Sequence, residues 1–268
     1  MTDSEGEEEA GELIAAFLDE DESAPRERLL EFGGGADGGG AAPVTLRVRE
    51  SSTTLGFGGT GGWIWNSSLF LARWLCRDRA ARGSLCGRAV LELGCGATAL
   101  PALMAARLGA QSVVATDICP DSLKAAQLNI DLNQLAGAPA CVTVAALDVV
   151  SPSAESVAGL GQPADLLLFA DLVYLPAVAA ALPETLRRLL LRAPKPAEAV
   201  CWGCVAERTA VGGGAAARIF RQALDSEEAL VYERSELPPE VLADPAYGDG
   251  ECDGCRLYKV RLRSERVD

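Results

Sequence analysis

The sequence predicts an α/β domain with a mostly parallel, seven-stranded sheet that finishes in an antiparallel C-terminal hairpin. Three observations carry that expectation. From Arg88 onward, short apolar runs alternate with segments of helical periodicity through five strand–helix units. The run 165–170, with Leu-Leu-Leu-Phe at its centre, is apolar on both faces, as a central strand covered by helices on each side must be. The last two strand-like segments, 229–233 and 256–262, have no helical pattern between them, so they are expected to pair antiparallel.

Taken in order, residues 1–42 read as an acidic appendage and linker, with glycine dominating 33–40, and residues 43–268 as the folded domain. Residues 44–48 alternate apolar and polar side chains and fit an edge strand. A second glycine-rich stretch, 56–62, reads as a mobile loop ending in Trp63-Ile64-Trp65. A helix is expected over 66–79, capped by Asn66 or Ser67. The alternating units follow: strand 89–93 with helix 98–108, strand 112–116 with helix 122–135 capped by Asp121, and strand 142–147. Strand 165–170 leads to helix 176–191, which Pro183 should kink or restart. Strand 198–205 and helix 215–224 complete the series.

Composition narrows the chemistry. With 268 residues and 49% hydrophobic side chains, one sizeable core is affordable. The net charge is −14, and residues 1–31 carry twelve acidic side chains against two arginines, so ten of those fourteen charges sit there. Such a balance argues against nucleic acid as a partner. It suits a basic protein substrate or a solubilising tail equally. No apolar run is long enough to span a bilayer and no basic-then-apolar leader opens the chain, so a soluble cytoplasmic or nuclear monomer is expected. Nine cysteines scattered through apolar segments suggest reduced thiols. Histidine is absent, which removes His triads, His bases and His-containing metal sites.

The sharpest motif is Val90-Leu91-Glu92-Leu93-Gly94-Cys95-Gly96-Ala97-Thr98-Ala99. A buried strand delivers the chain into a turn where Gly94 and Gly96 bare the backbone beside a helix N-terminus, so a ligand can lie against it. Alone, this G-x-G-x-x-A is shared with dinucleotide-binding folds. Asp117 and Asp148 close the next two strands. Each acidic residue by itself is more often a strand-end turn or a helix cap than a ligand. Glu92, Asp117 and Asp148 together, at successive carboxyl ends of adjacent parallel strands, converge on the crevice where open α/β sheets bind nucleoside cofactors.

Strand 165–170 runs into Asp171-Leu172-Val173-Tyr174, and Trp65 opens the helical pattern Trp65-Asn66-Ser67-Ser68-Leu69-Phe70-Leu71-Ala72-Arg73-Trp74-Leu75. With Glu207-Arg208 after the fifth strand, these residues resemble the class I, seven-β-strand protein-lysine methyltransferases that carry a D-x-x-Y motif. The resemblance runs over roughly residues 44–262. It implies a Rossmann-like sandwich, S-adenosylmethionine as cofactor, and a lysine in a protein as acceptor. It further implies cofactor contacts from Trp65, Glu92, Gly94, Cys95, Gly96 and Ala170, with Asp117 on the ribose hydroxyls and Asp148, after Leu147, reading the adenine amino group. Asp171 and Tyr174 are the implied catalytic pair. Two departures stand out: the glycine richness before Trp65, and Asn66-Ser67-Ser68 in place of the usual small or acidic residues.

Rival readings stay open on sequence alone. The same fold could methylate arginine, histidine or a small amine, or retain the pocket as a non-catalytic binding protein, or use NAD. Asp171 could be a helix cap, and Tyr174 and Trp65 simply core. Two Cys-x-x-Cys pairs, Cys201/Cys204 and Cys252/Cys255, invite a zinc reading. However, Cys201 and Cys204 fall on one strand with an odd offset, which points them to opposite faces, and the pairs are far apart in sequence; the last strand should sit beside the fifth, which keeps proximity open, but no metal is expected. The position inside a strand also speaks against a thioredoxin-like redox pair.

Overall fold

A computed structural model describes residues 26–33, 43–51, 61–133, 141–207, 213–242 and 254–264. The acidic N-terminus, most of both glycine-rich stretches, Arg208 and Cys252 lie outside the described residues. A seven-stranded sheet organises the rest. Its strands are β3 (Ala89–Leu93), β4 (Ser112–Asp117), β5 (Cys141–Ala146), β6 (Leu166–Ala170), β7 (Val200–Ala206), β8 (Leu230–Glu236) and β9 (Cys255–Leu262), in the order β5-β4-β3-β6-β7-β9-β8. Five strands run parallel, and β9 enters antiparallel between β7 and β8, as the missing crossover helix requires. The sheet reverses direction outward from β3 and β6, which places a crevice at their carboxyl ends.

Period-two alternation divides the core in two. Val90, Leu166, Leu168 and Trp202 face one side and pack on α1 (Asn66–Arg77) and α3 (Leu100–Arg107). Leu91, Leu167, Phe169 and Cys201 face the other and pack on α6 (Pro176–Leu191) and α7 (Gly213–Ser226). Cys201 and Cys204 do take opposite sides. The residues between them serve packing: Trp202 meets Trp74 edge-on at 5.0 Å, and a Cβ on Gly203 would strike the Phe169 ring at 2.1 Å. The Cys-Trp-Gly-Cys run is therefore a pattern of sheet packing.

Several expectations need correction. Residues 27–32, assigned to the appendage, form β1 (Glu27–Phe32), which pairs antiparallel with β2 (Val44–Arg49) and buries Leu30 and Phe32. Helix α1 is capped by neither Asn66 nor Ser67. Trp65 holds the cap position, with the Ser68 hydroxyl donating to its carbonyl at 2.8 Å. The expected single helix 66–79 breaks at Asp78, whose carboxylate accepts from the Ala81 amide at 2.8 Å and starts α2 (Arg79–Leu85). Pro183 does not interrupt α6, because Ala179, Leu182 and Leu186 are buried on the same stretch and outweigh one lost backbone bond. Cys119, not Asp121, occupies the cap of α4 (Pro120–Leu132). Two short helices escaped the sequence reading, α5 (Ala154–Gly159) and α8 (Pro239–Leu242). Among the described residues, no helix is long and apolar enough to cross a membrane.

Candidate active site

The loop after β3 makes three left-handed excursions: Gly94 at φ +65°, Gly96 at +57° and Ala99 at +44°. Ala99 is the cap of α3, so the helix starts at Leu100 instead of the expected Thr98. A Cβ on Gly94 would lie 2.4 Å from Leu172 Cδ1, and one on Gly96 would lie 3.0 Å from the Gly61 carbonyl oxygen. Both glycines are thus required by backbone angle, and at Gly96 the Gly61 backbone adds a close approach that a side chain would crowd.

Around this loop the expected carboxylates take distinct posts. Glu92 is 2% exposed, and its Oε2 accepts from the Ala102 amide at 2.9 Å, in the first turn of α3. Burial pushes its carboxyl up to about 8; the Ala102 bond opposes that and the Asp117 charge adds to it. Asp117 accepts from the Gly96 amide at 2.9 Å through Oδ2 and from the Cys119 amide at 2.9 Å through Oδ1. Burial also raises its carboxyl, with the amide bonds pulling the other way. Asp148, two residues past β5, accepts from the Val150 amide at 2.8 Å. Cys95 donates its amide to the Thr116 carbonyl at 2.8 Å, and burial keeps its thiol protonated.

Two adjoining chambers open at this edge of the sheet. The first, ≈ 530 Å³ including its open mouth, is walled by Trp63, Trp65, Tyr174, Asp171 and Ser68, with Glu92, Cys95 and Ala170 also at its lining. The second, ≈ 810 Å³, is lined by Ile118, Ser122, Leu147, Asp148, Val150 and Leu175. They share Gly61, Gly94, Asp117, Leu172 and Tyr174, so Leu172 resting on Gly94 forms the neck between them. Among the described lining residues there is no lysine or arginine; the ionisable carboxyls are Glu92, Asp117, Asp148 and Asp171. With Glu92 protonated by burial, the remaining three carboxyls suit cationic ligands.

Asp171 stands immediately after β6 with φ +51°, and its amide donates to the Cys204 carbonyl at 3.0 Å. A left-handed aspartate carries strain of about 1 kcal/mol or more. That turn sends Leu172 back over Gly94 and leaves Asp171 and Tyr174 on one chamber wall. All ten residues expected at the site line one chamber or the other. Sequence reasoning missed Trp63, Leu172, Thr98, Ile118 and Ser122. Trp63 and Leu172 lay in plain view beside expected residues, but nothing local in the sequence states which way they point. Glu207, one of the residues that carry the resemblance, lies outside both chambers and holds Arg234, Arg221 (3.1 Å) and the Tyr258 hydroxyl (2.6 Å).

A family described as lysine methyltransferase matches residues 42–209, which is more than half the sequence. The chain belongs to the lysine methyltransferase family. The match ends after β7, so the family's signature covers every strand that builds the two chambers but not the β8–β9 pair. One curated relative is the electron transfer flavoprotein beta subunit lysine methyltransferase of Danio rerio, 37% identical over 125 residues, covering 46% of this chain and 42% of that protein. Another is the protein N-terminal and lysine N-methyltransferase EFM7 of Eremothecium gossypii, 41% identical over 86 residues, 31% of each chain. The chain thus spans less than half the length of either relative. Among solved structures, SMU.776, described as a methyltransferase complexed with SAH, superposes with a TM-score of 0.53 at 14% identity. It covers 86% of this chain and 56% of that one, a likeness of fold.

Proposed function

We propose that this protein is an S-adenosylmethionine-dependent protein N-methyltransferase whose acceptor is a lysine side chain. The observation that carries the reading is the two-chambered crevice at the carboxyl ends of β3, β4 and β6, which unites a glycine cradle, an all-acidic ionisable lining and an aromatic-walled carboxylate. Membership of the family supports it. The residues fit the cofactor. Its adenosine end would be held by Asp117, Asp148 and the apolar wall of Ile118 and Leu147, and its amino-acid end by the bare backbone of Gly94–Gly96, with Trp65, Cys95 and Ala170 beside it. When bound, the cofactor supplies an activated methyl group on a sulfonium.

The protein's own residues then have two tasks. The first is alignment of acceptor nitrogen and methyl, which can lower the barrier by about 7–11 kcal/mol. The second is presentation of a neutral amine, since deprotonating an ordinary lysine at pH 7 costs roughly 4–5 kcal/mol. Trp63, Trp65 and Tyr174 wall the first chamber and disfavour the ammonium by excluding water. Asp171 holds the amine and stabilises the positive charge that grows on nitrogen during attack. It also stabilises the unreactive ammonium, so positioning is its main contribution, and the proton leaves to water. The acidic balance of the chain and the carboxyls of Asp117, Asp148 and Asp171 at the chamber walls favour a basic segment of a protein over nucleic acid as substrate. Monomeric action in the cytoplasm belongs to the same proposal.

The deciding experiment pairs calorimetry with labelling of a lysate by radioactive cofactor. Wild type should bind S-adenosylhomocysteine and label a lysine. Asp171→Asn, which keeps a side chain tolerant of φ +51°, should bind it within threefold and lose labelling at least a hundredfold. Equal labelling by the variant removes Asp171 from the mechanism, and preferential binding of NAD removes the methyltransferase reading.

A further inference from the structure

We propose that the β1–β2 hairpin is a working part of the cofactor site and that Asn129 is the positioning residue that joins the two. This deepens the methyltransferase reading and rests on it. The hairpin packs its free β2 edge not on another strand but on α4, through two asparagines one turn apart. Asn129 accepts from the Arg49 amide at 2.7 Å and donates to the Arg49 carbonyl at 2.9 Å. Asn133 does the same for Arg47, at 3.0 and 2.7 Å. The match is geometric: four helical residues rise about 6 Å and two strand residues about 6.7 Å. The two side-chain amides therefore imitate a neighbouring strand.

Only Asn129 continues inward. Its Nδ2 also donates to the Ala97 carbonyl at 2.8 Å, inside the glycine loop, and the Ala97 amide donates to the Gly61 carbonyl at 2.6 Å. Gly61 lines both chambers. A second tie runs from the same hairpin. Buried Glu50 accepts from the Ile64 amide at 2.9 Å, between Trp63 and Trp65, and pairs with Arg28 of β1 at 2.8 Å. The Ser51 amide donates to the Gly62 carbonyl at 2.9 Å. The hairpin thus holds the loop that bears the cofactor and the segment that bears both chamber tryptophans. A ligand that fixes the loop must, by linkage, fix the hairpin too.

The test titrates S-adenosylhomocysteine into the full chain. Asn129→Ala and Asn133→Ala each remove two bonds to β2, so both should lower Tm comparably. Asn129→Ala should weaken binding tenfold or more, whereas Asn133→Ala should change it less than threefold. Wild-type hydrogen exchange, which needs no variant, should show the ligand slowing the Arg49 and Ile64 amides. Equal affinities for the two variants, or hairpin amides indifferent to the ligand, would overturn the inference while leaving the methyltransferase reading intact. Failure of wild type to bind the ligand at all would overturn both.

Discussion

Replacing Glu92 by glutamine tests whether this carboxyl is a neutral structural group or an ionised ligand for cofactor. Its side chain is 2% exposed, one oxygen accepts from the Ala102 amide, and burial lifts it from 4.5 to about 8. In the unfolded chain it ionises from about pH 4.5 upward; in the folded chain it keeps its proton until about pH 8. The folded state therefore binds more protons between those values, and stability must fall as pH rises through that window. The difference of 3.5 units corresponds to about 5 kcal/mol at 1.36 kcal/mol per unit. Relaxation and water entry around a buried carboxylate reduce such penalties, leaving about 2–4 kcal/mol. Glutamine keeps the oxygen that accepts from Ala102 and cannot ionise. Urea unfolding at pH 5, 6.5 and 8 should find the two proteins within about 1 kcal/mol at pH 5 and Glu92→Gln the more stable by about 2–4 kcal/mol at pH 8. A variant less stable than wild type at pH 8 would mean that the carboxylate is ionised in the fold and held by partners that need its charge.

Two further perturbations read other parts of the structure. Gly94→Ala must place a methyl group at φ +65° and 2.4 Å from Leu172 Cδ1, so it should cost about 1–3 kcal/mol and weaken S-adenosylhomocysteine binding tenfold or more. Adding Leu172→Ala should relieve the clash but not the backbone strain, and a double-mutant cycle with no coupling would mean that Leu172 does not rest on Gly94. Glu207 is held at about 2: burial opposes ionisation, but the Arg234 and Tyr258 hydrogen bonds and the Arg221 charge outweigh it. Its stabilising effect is present above about pH 4.5 and is lost as pH falls toward 2. Glu207→Gln should therefore cost about 2–3 kcal/mol at pH 7 and converge on wild type in acid. A pH-independent difference would leave packing, not charge, as its role.

The sheet was legible because its signals are local and periodic. Apolar patterning located six of the seven strands within a residue or two, with β8 running three residues further than expected, and the absent crossover helix located the antiparallel β9. What escaped was set by tertiary context. β1 has only Leu30 and Phe32 to announce it within an acidic stretch, and its reason for existing is the edge of β2. The cap positions of α1 and α4 went to Trp65 and Cys119, residues without capping preference, because the preceding segments are fixed from elsewhere by Glu50 and Asp117. Asn129 and Asn133 looked like ordinary polar positions on a helix, since nothing within α4 says that a strand edge lies opposite.

Asp171-Leu172-Val173-Tyr174 shows how far a motif and its geometry can diverge. As letters it offers an acid and an aromatic three residues apart, and attention falls on those two alone. The left-handed turn at Asp171 gives every position a task. Leu172 is laid across Gly94 at the neck of the crevice, Val173 is buried in the core beneath α6, and Tyr174 returns to the wall shared by both chambers. A continuing strand would have alternated these side chains between the sheet's two faces. The strain at one backbone position is thus what lets a single tetrapeptide supply the carboxylate, the neck, an anchor and the aromatic wall at once.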